Sequence, residues 1–213
     1  MAYKAVIFDL DGTLLDSLAD IADAANHVLT LHGYPQHDYA TYKQFIGNGL
    51  GKLIERAVPP NTSHETCQTM LAQLRDYYAR HWAIKTVPYP GIDEALQHLK
   101  ERGYPLFVLS NKDHPFTVDM VHHFFGTNLF TEIHGLKKGK PAKPDPMTTK
   151  EICLRHRLTP SNVLFVGDLT VDILTAQNAS LHCVGVRWGF RPHEIEKADY
   201  LIGHPQELLA LLS

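Results

Sequence analysis

The sequence predicts an α/β fold: a Rossmann-like parallel sheet core with helices on both faces, plus an inserted α-helical cap. Three observations predict it. From about residue 87 onward, short apolar runs of strand length alternate with helical patterns. Residues 16–86 carry helical patterns alone. Acidic or small polar residues follow several of the strand-like runs, at the edge where open α/β sheets bind ligands. The expected organisation is a core of residues 1–15 and 87–213 with a helical cap over 16–86.

The elements follow in chain order. Ala5–Phe8 reads as a buried strand. Ser17 is placed to cap a helix whose Leu18, Ile21, Ala22, Ala25, Val28 and Leu29 share one face, and Gly33 suits its C′ position. The segment 41–58 is helical in pattern but loosened by three glycines. Ser63 opens a further helix through Cys67, Met70, Leu71, Leu74 and Tyr78. No strand is expected within 16–86. Tyr77, Tyr78 and Trp82 are read as cap packing or a cap–core seam. Pro90-Gly91 opens a helix with Ile92, Ala95, Leu96 and Leu99 inward, closed by Gly103. Leu106–Leu109 is a strand, followed by a helix over 115–125. Asp145 and Pro146 are placed as cap and first turn of a helix reaching about 157. Val163–Val166, Leu181–Val186 and Tyr200–Ile202 are strands. Helices over Asp172–Ala179 and 205–212 complete the alternation.

Composition excludes several function classes. With 213 residues, 44% of them hydrophobic, the chain can bury a proper core. A net charge of −3 gives no reason to expect nucleic acid as a partner. The basic run KKGKPAK, 137–143, reads mainly as a solvated loop. Cys67, Cys153 and Cys183 are far apart and odd in number, which favours a reducing compartment over a disulfide framework. No apolar segment has the length to span a membrane, so a cytoplasmic location is expected. The 14 histidines show neither HExxH nor a Cys/His ligand spacing, so no histidine metal site is expected.

The chemistry concentrates at three strand ends. VIFDLDG delivers Asp9 and Asp11, VLSNK delivers Ser110 and Asn111, and VLFVGDLTVD delivers Asp168, with Asp172 on the next helix. Strand period puts Asp9 and Asp11 on one side, about 6.6 Å apart at most, and the turn at Gly12 can bring them closer. Carboxylates packed together need a counter-charge. An all-oxygen donor set without histidine or thiolate suits Mg²⁺, which binds through a few carboxylates and substrate phosphate. The Ser110 hydroxyl, the N–H groups after it, and Lys143 in KPDP suit a phosphoryl group. One carboxylate can then act as nucleophile and a second as acid and base.

DLDGTLLDS, SNK, KPDP and GDLTVD, in that order, resemble the four motifs of the haloacid dehalogenase superfamily, and the resemblance covers the whole chain. FIGNGLGKLIERAV is similar to the cap of its phosphoglycolate phosphatase-like members. The resemblance implies Asp9 as nucleophile, Asp11 as general acid and base, and Ser110 and Lys143 as catalytic phosphoryl ligands. It implies Mg²⁺ held by Asp9, Asp168 and the Asp11 carbonyl, with Asp172 supporting that shell. Leu169 departs from the Ser or Thr usual after the fourth-motif aspartate. Asn48 and Gly49, in GNGLGK, are expected to offer backbone N–H groups to substrate, or simply to break a helix. Lys52 can reach a substrate carboxylate, form a Schiff base as in phosphonate-cleaving relatives, or lie on the surface.

The expected activity is Mg²⁺-dependent hydrolysis of a small phosphorylated metabolite, 2-phosphoglycolate first among candidates. A sugar-phosphate mutase, a phosphonate-cleaving enzyme and a catalytically idle binding module are the alternatives. The oligomeric state is unreadable from the sequence.

Overall fold

β1 (Ala5–Phe8) occupies the middle of the molecule because all four of its residues are apolar and can be buried on both faces. The structure, a computed structural model, describes residues 3–212. After β1 the chain runs through β2 (Leu15–Asp16) and then four helices, α1 (Leu18–Leu31), α2 (Tyr39–Phe45), α3 (Gly49–Ala57) and α4 (His64–Tyr78). It returns through β3 (Val87–Pro88) into α5 (Ile92–Glu101), β4 (Leu106–Asp113), α6 (His114–Phe125), β5 (Glu132–Leu136) and α7 (Met147–Arg155). β6 (Val163–Gly167), α8 (Thr170–Asn178), β7 (His182–Val186), β8 (Tyr200–Ile202) and α9 (Glu207–Leu211) complete it.

Six strands form one parallel sheet in the order β5-β4-β1-β6-β7-β8. The chain moves outward from β1 in both directions, so the strand order reverses beside β1. That reversal opens a crevice at the carboxyl ends of β1, β4 and β6. Residue alternation feeds two cores. Val6, Phe8 and Val108 face α5 and α6, where Leu96, Leu99 and Met120 pack. Ile7, Phe107 and Phe165 face Ile152 and Ile173 on the other side. Burial of each such side chain contributes roughly 1.5–3 kcal/mol.

Helices α1–α4 form the cap and bury a third core around Ala25, Tyr42, Leu53, Met70 and Leu74. Ser63 caps α4 as expected, accepting from the Thr66 N–H at 3.1 Å. Gly33, just past α1, adopts φ +69°. Phe190, from the segment after β7, inserts its ring into this cap core. Tyr78 is buried and lies edge-on to Phe116 of α6, while Trp82 meets His123 and Phe124. That aromatic group is therefore cap packing and seam together.

Five expectations need correction. The two-residue strands β2 and β3 pair antiparallel beside the cap, and β2 includes Asp16 within a stretch expected to hold no strand. β5 has no counterpart in the sequence reading, because EIHGL is half-buried at a sheet edge and lacks an apolar run. β4 extends past Leu109 to Asp113, with a register shift against β5. Ser17 precedes α1, but its hydroxyl donates to Asp11 at 2.5 Å and leaves the helix end uncapped. α7 starts one residue later than expected, and Asp145 caps it by accepting from the Met147 N–H at 2.8 Å.

Cys67, Cys153 and Cys183 are free and buried. Among the described residues, no helix is long and apolar enough to cross a membrane.

Candidate active site

The crevice beside β1 gathers the acidic residues. Asp9 follows β1 directly, and its N–H donates to the Val166 carbonyl of β6 at 2.9 Å, which extends the ladder past the strand end. Asp168 follows β6, and Asp172 lies in the first turn of α8. The three carboxylates bring one oxygen each to within 4.8 Å of one another, and all three are buried.

Two glycines make the close packing around Asp168 achievable. Gly12, at φ +89°, turns the chain against Asp168, where an added Cβ would meet Asp168 Oδ2 at 2.3 Å. A Cβ on Gly189 would meet the Asp168 Cβ at 2.2 Å. The Phe190 N–H donates to Asp168 Oδ2 at 2.9 Å, and the Thr13 hydroxyl donates to Oδ1 at 3.3 Å. The Asp172 carboxylate accepts from the Leu169 N–H at 3.0 Å.

Lys143 joins this cluster across a long loop. Its Nζ donates to Asp9 Oδ1 at 2.6 Å and Asp172 Oδ1 at 2.7 Å, and its side chain is 2% exposed. One ammonium thus faces three buried carboxylates. Burial pushes the Asp9 carboxyl up to about 7, against the pull of Lys143, and holds Asp168 well above the carboxylate range. The same carboxylates keep Lys143 charged, raising its pKa against desolvation. The surplus of hard oxygen donors, all carboxylate, fits a divalent cation such as Mg²⁺.

Asn111 holds the approach of Lys143 in place. Its Oδ1 accepts from the Lys143 N–H at 2.8 Å, and its Nδ2 donates to the carbonyls of Lys143 and Gly47 at 3.1 and 3.2 Å. Both ends of the amide are thereby occupied within the protein. Ser110 is buried, and its Oγ accepts from the Lys112 N–H at 3.2 Å. Asp11 stands one step toward the cap, where Ser17 and Lys112 Nζ hold its carboxylate, the latter at 2.9 and 3.0 Å.

The structure therefore brings Asp9, Asp11, Ser110, Asn111 and Lys143 to one cavity, with Asp168 and Asp172 directly behind. From the cap, Gly49 comes close to the Asn111 carbonyl. The cavity roof is apolar: Ile21, Ile46, Leu50 and Leu53. Asn48 turns its side chain outward, accepting from Arg56 at 2.7 Å. Lys52 pairs with Glu55 on the exposed side of α3 and does not line the cavity. Leu169 packs on Gly47 of the cap, where a hydroxyl would have no such contact.

Lys112 was missed among the motif residues. Its place two residues beyond Ser110 on one strand, hence on the same side, is the available signal. Arg191 was missed as well. It donates to the Lys43 and Gln44 carbonyls at 3.2 and 3.0 Å and so ties the core to the cap.

The comparisons agree with this geometry. The haloacid dehalogenase-like hydrolase family matches residues 6–186. A phosphoglycolate phosphatase of Psychrobacter arcticus is 32% identical over 197 residues, 89% of this chain and 86% of that protein. One of Pseudomonas putida is 31% identical, covering 97% of this chain and 78% of the other. A crystal structure described as a predicted phosphoglycolate phosphatase from Haemophilus somnus superposes with a TM-score of 0.93 at 29% identity, over 99% and 98% of the two chains. An aspartate cluster at the carboxyl edge of a parallel sheet under a helical cap, and a family match across most of the chain, lead to one conclusion: the protein belongs to the haloacid dehalogenase-like hydrolases and is a phosphatase-type member of that family.

Proposed function

We propose that the chain hydrolyses a small phosphomonoester through an aspartyl-phosphate on Asp9, with 2-phosphoglycolate as the leading substrate. The observation that carries the reading is the Asp9–Lys143–Asp172 chain of contacts at 2.6 and 2.7 Å, buried beside Asp168. A nucleophilic carboxylate, a fixed ammonium and two further carboxylates at one sheet edge are what phosphoryl transfer requires.

Asp9, Asp168 and the Asp11 carbonyl would hold Mg²⁺, with Asp172 supporting them. When bound, the cation neutralises charge on the phosphoryl group and on the carboxylates around it. Asp9 attacks phosphorus as the bond to the leaving oxygen breaks, and Asp11 gives that oxygen its proton. Asp11 then takes a proton from water, the water attacks the aspartyl-phosphate, and Asp9 and inorganic phosphate are released. Lys143 holds Asp9 in place and offsets charge on the phosphoryl oxygens. Ser110 contributes a hydroxyl toward the same group. The apolar roof keeps bulk water from the site during transfer.

A small substrate is supported by how closely the cap covers the site: Ile21, Ile46, Leu50 and Leu53 share one cavity with Asp9, Asp11, Ser110 and Lys143. The names of the relatives at 31–32% identity support phosphoglycolate in particular. The test is phosphate release from a panel of small phosphomonoesters, with and without Mg²⁺. Phosphoglycolate should head the panel, and chelation and Asp9→Asn should each abolish release. No release from any substrate by folded, Mg²⁺-supplied protein would favour an idle binding module instead.

A further inference from the structure

Lys112 is a second buried ammonium in the cavity, and the proposed phosphoryl-transfer steps give it no part. Its side chain is 2% exposed, and it lies 4.8 Å from the centroid of the Tyr78 ring. Burying a cation is costly unless its charge is met. Lys143 meets two carboxylates, Asp9 and Asp172. Lys112 meets one, Asp11, with the ring face and the hydroxyl of Tyr78 beside it. The rest of the roof offers no polar side chain: Ile21, Ile46, Leu50 and Leu53 cannot hydrogen-bond a substrate. The cavity therefore has one cation at the phosphoryl end and one at the end where Asp11 meets the leaving group.

Resting on the hydrolase reading above, we infer that Lys112 is the specificity-determining residue that receives a carboxylate carried by the substrate's leaving group. In a 2-phospho carboxylate one carbon separates the ester oxygen from the carboxyl group. An ester oxygen in reach of Asp11 therefore sets that carboxylate beside the ammonium that Asp11 already touches. Uncharged alcohols of the same size gain nothing from Lys112, and the apolar roof gives polyols no partners. Lys52, the other lysine considered for this role, is on the outer surface with Glu55.

The test compares kcat/KM for 2-phosphoglycolate and for its carboxamide, which has the same shape without the charge. The wild type should prefer the carboxylate by about 10- to 100-fold, the range of a hydrogen bond to a charged group. Lys112→Met should slow both substrates, because Asp11 loses a partner, yet erase the preference, with the extra loss on phosphoglycolate appearing in KM. Lys112→Arg should keep a preference. Circular dichroism and melting establish that each variant is folded, and the wild-type ratio decides even where Lys112→Met is not. Equal wild-type rates on the two substrates, or a preference that survives in Lys112→Met, overturn the inference and leave the hydrolase reading standing. Release from neither substrate overturns this inference, and the wider phosphomonoester panel then decides whether the hydrolase reading stands.

Discussion

Asp20 gives a sharp test of how the cap is fastened. It is 3% exposed on α1, the first cap helix, yet its carboxylate serves the returning chain. Oδ2 accepts from the Ile84, Lys85 and Thr86 N–H groups at 3.0, 2.9 and 2.8 Å and from the Thr86 hydroxyl at 2.8 Å. Four donors thus converge on one buried charge where the chain leaves the cap for β3. Asp20→Asn keeps the size, removes the charge and turns an N–H₂ group toward N–H donors. A hydrogen bond to a charged group contributes about 1.5–3 kcal/mol. The four share one acceptor and do not add, so a net loss of about 3 kcal/mol is the working figure. For a chain of this size that lowers the melting temperature by roughly 6–12 °C. Thermal unfolding by circular dichroism measures it, with Asp76→Asn as the control. Asp76 is 70% exposed and pairs with Arg80, just past the end of α4, so its shift should stay below about 2 °C. Equal shifts for the two variants would refute the assignment of Asp20 as the fastening point.

Four further outcomes are expected. In metal-free protein Asp9 has a folded pKa of about 7, against 3.8 for the free side chain. A carboxyl raised in this way stabilises the fold below pH 3.8 and loses that contribution as pH rises through about 7. The melting temperature of chelated protein should therefore fall between those pH values, and Mg²⁺ should restore it most at the upper end. At a hundred times its Kd the ion should contribute about 2.7 kcal/mol, or roughly 5–10 °C, and an equal effect of Mg²⁺ at both pH values would contradict the metal assignment. Asp9→Asn should abolish phosphate release and leave the melting temperature of chelated protein no lower, because it removes one of three crowded carboxylates. Gly12→Ala should both destabilise the protein and weaken Mg²⁺ binding by calorimetry, since its Cβ would stand 2.3 Å from Asp168 Oδ2. Phe190→Ala should cost about 3–5 kcal/mol in urea unfolding, because the ring fills the cap core.

The parts legible in sequence were those where one residue type had one physical use. Val6–Phe8 could only be a buried strand, and Asp9 after it needed a counter-charge. Asp168 after Val163–Val166 repeated the pattern. These residues meet, across 159 positions of chain, because β1 and β6 are direct neighbours in register, Phe8 beside Val166. What escaped were residues with two uses of similar merit. Ser17 can cap a helix or serve a carboxylate, and the half-buried Asp11 carboxylate is the stronger acceptor. Asn111 can touch ligand or brace backbone, and the Lys143 peptide takes it. EIHGL of β5 owes its strand to pairing with β4, which no local pattern carries. Lys112 is the most instructive case. Its neighbour Ser110 was identified by chemistry, yet the same strand period that sets Ser110 on the cavity also sets Lys112 there. A motif marks residues that act on the phosphoryl group. A residue that recognises the rest of the substrate shows itself only when burial and partners are known, and a lysine whose charge is answered by Asp11 and a tyrosine face is that kind of residue.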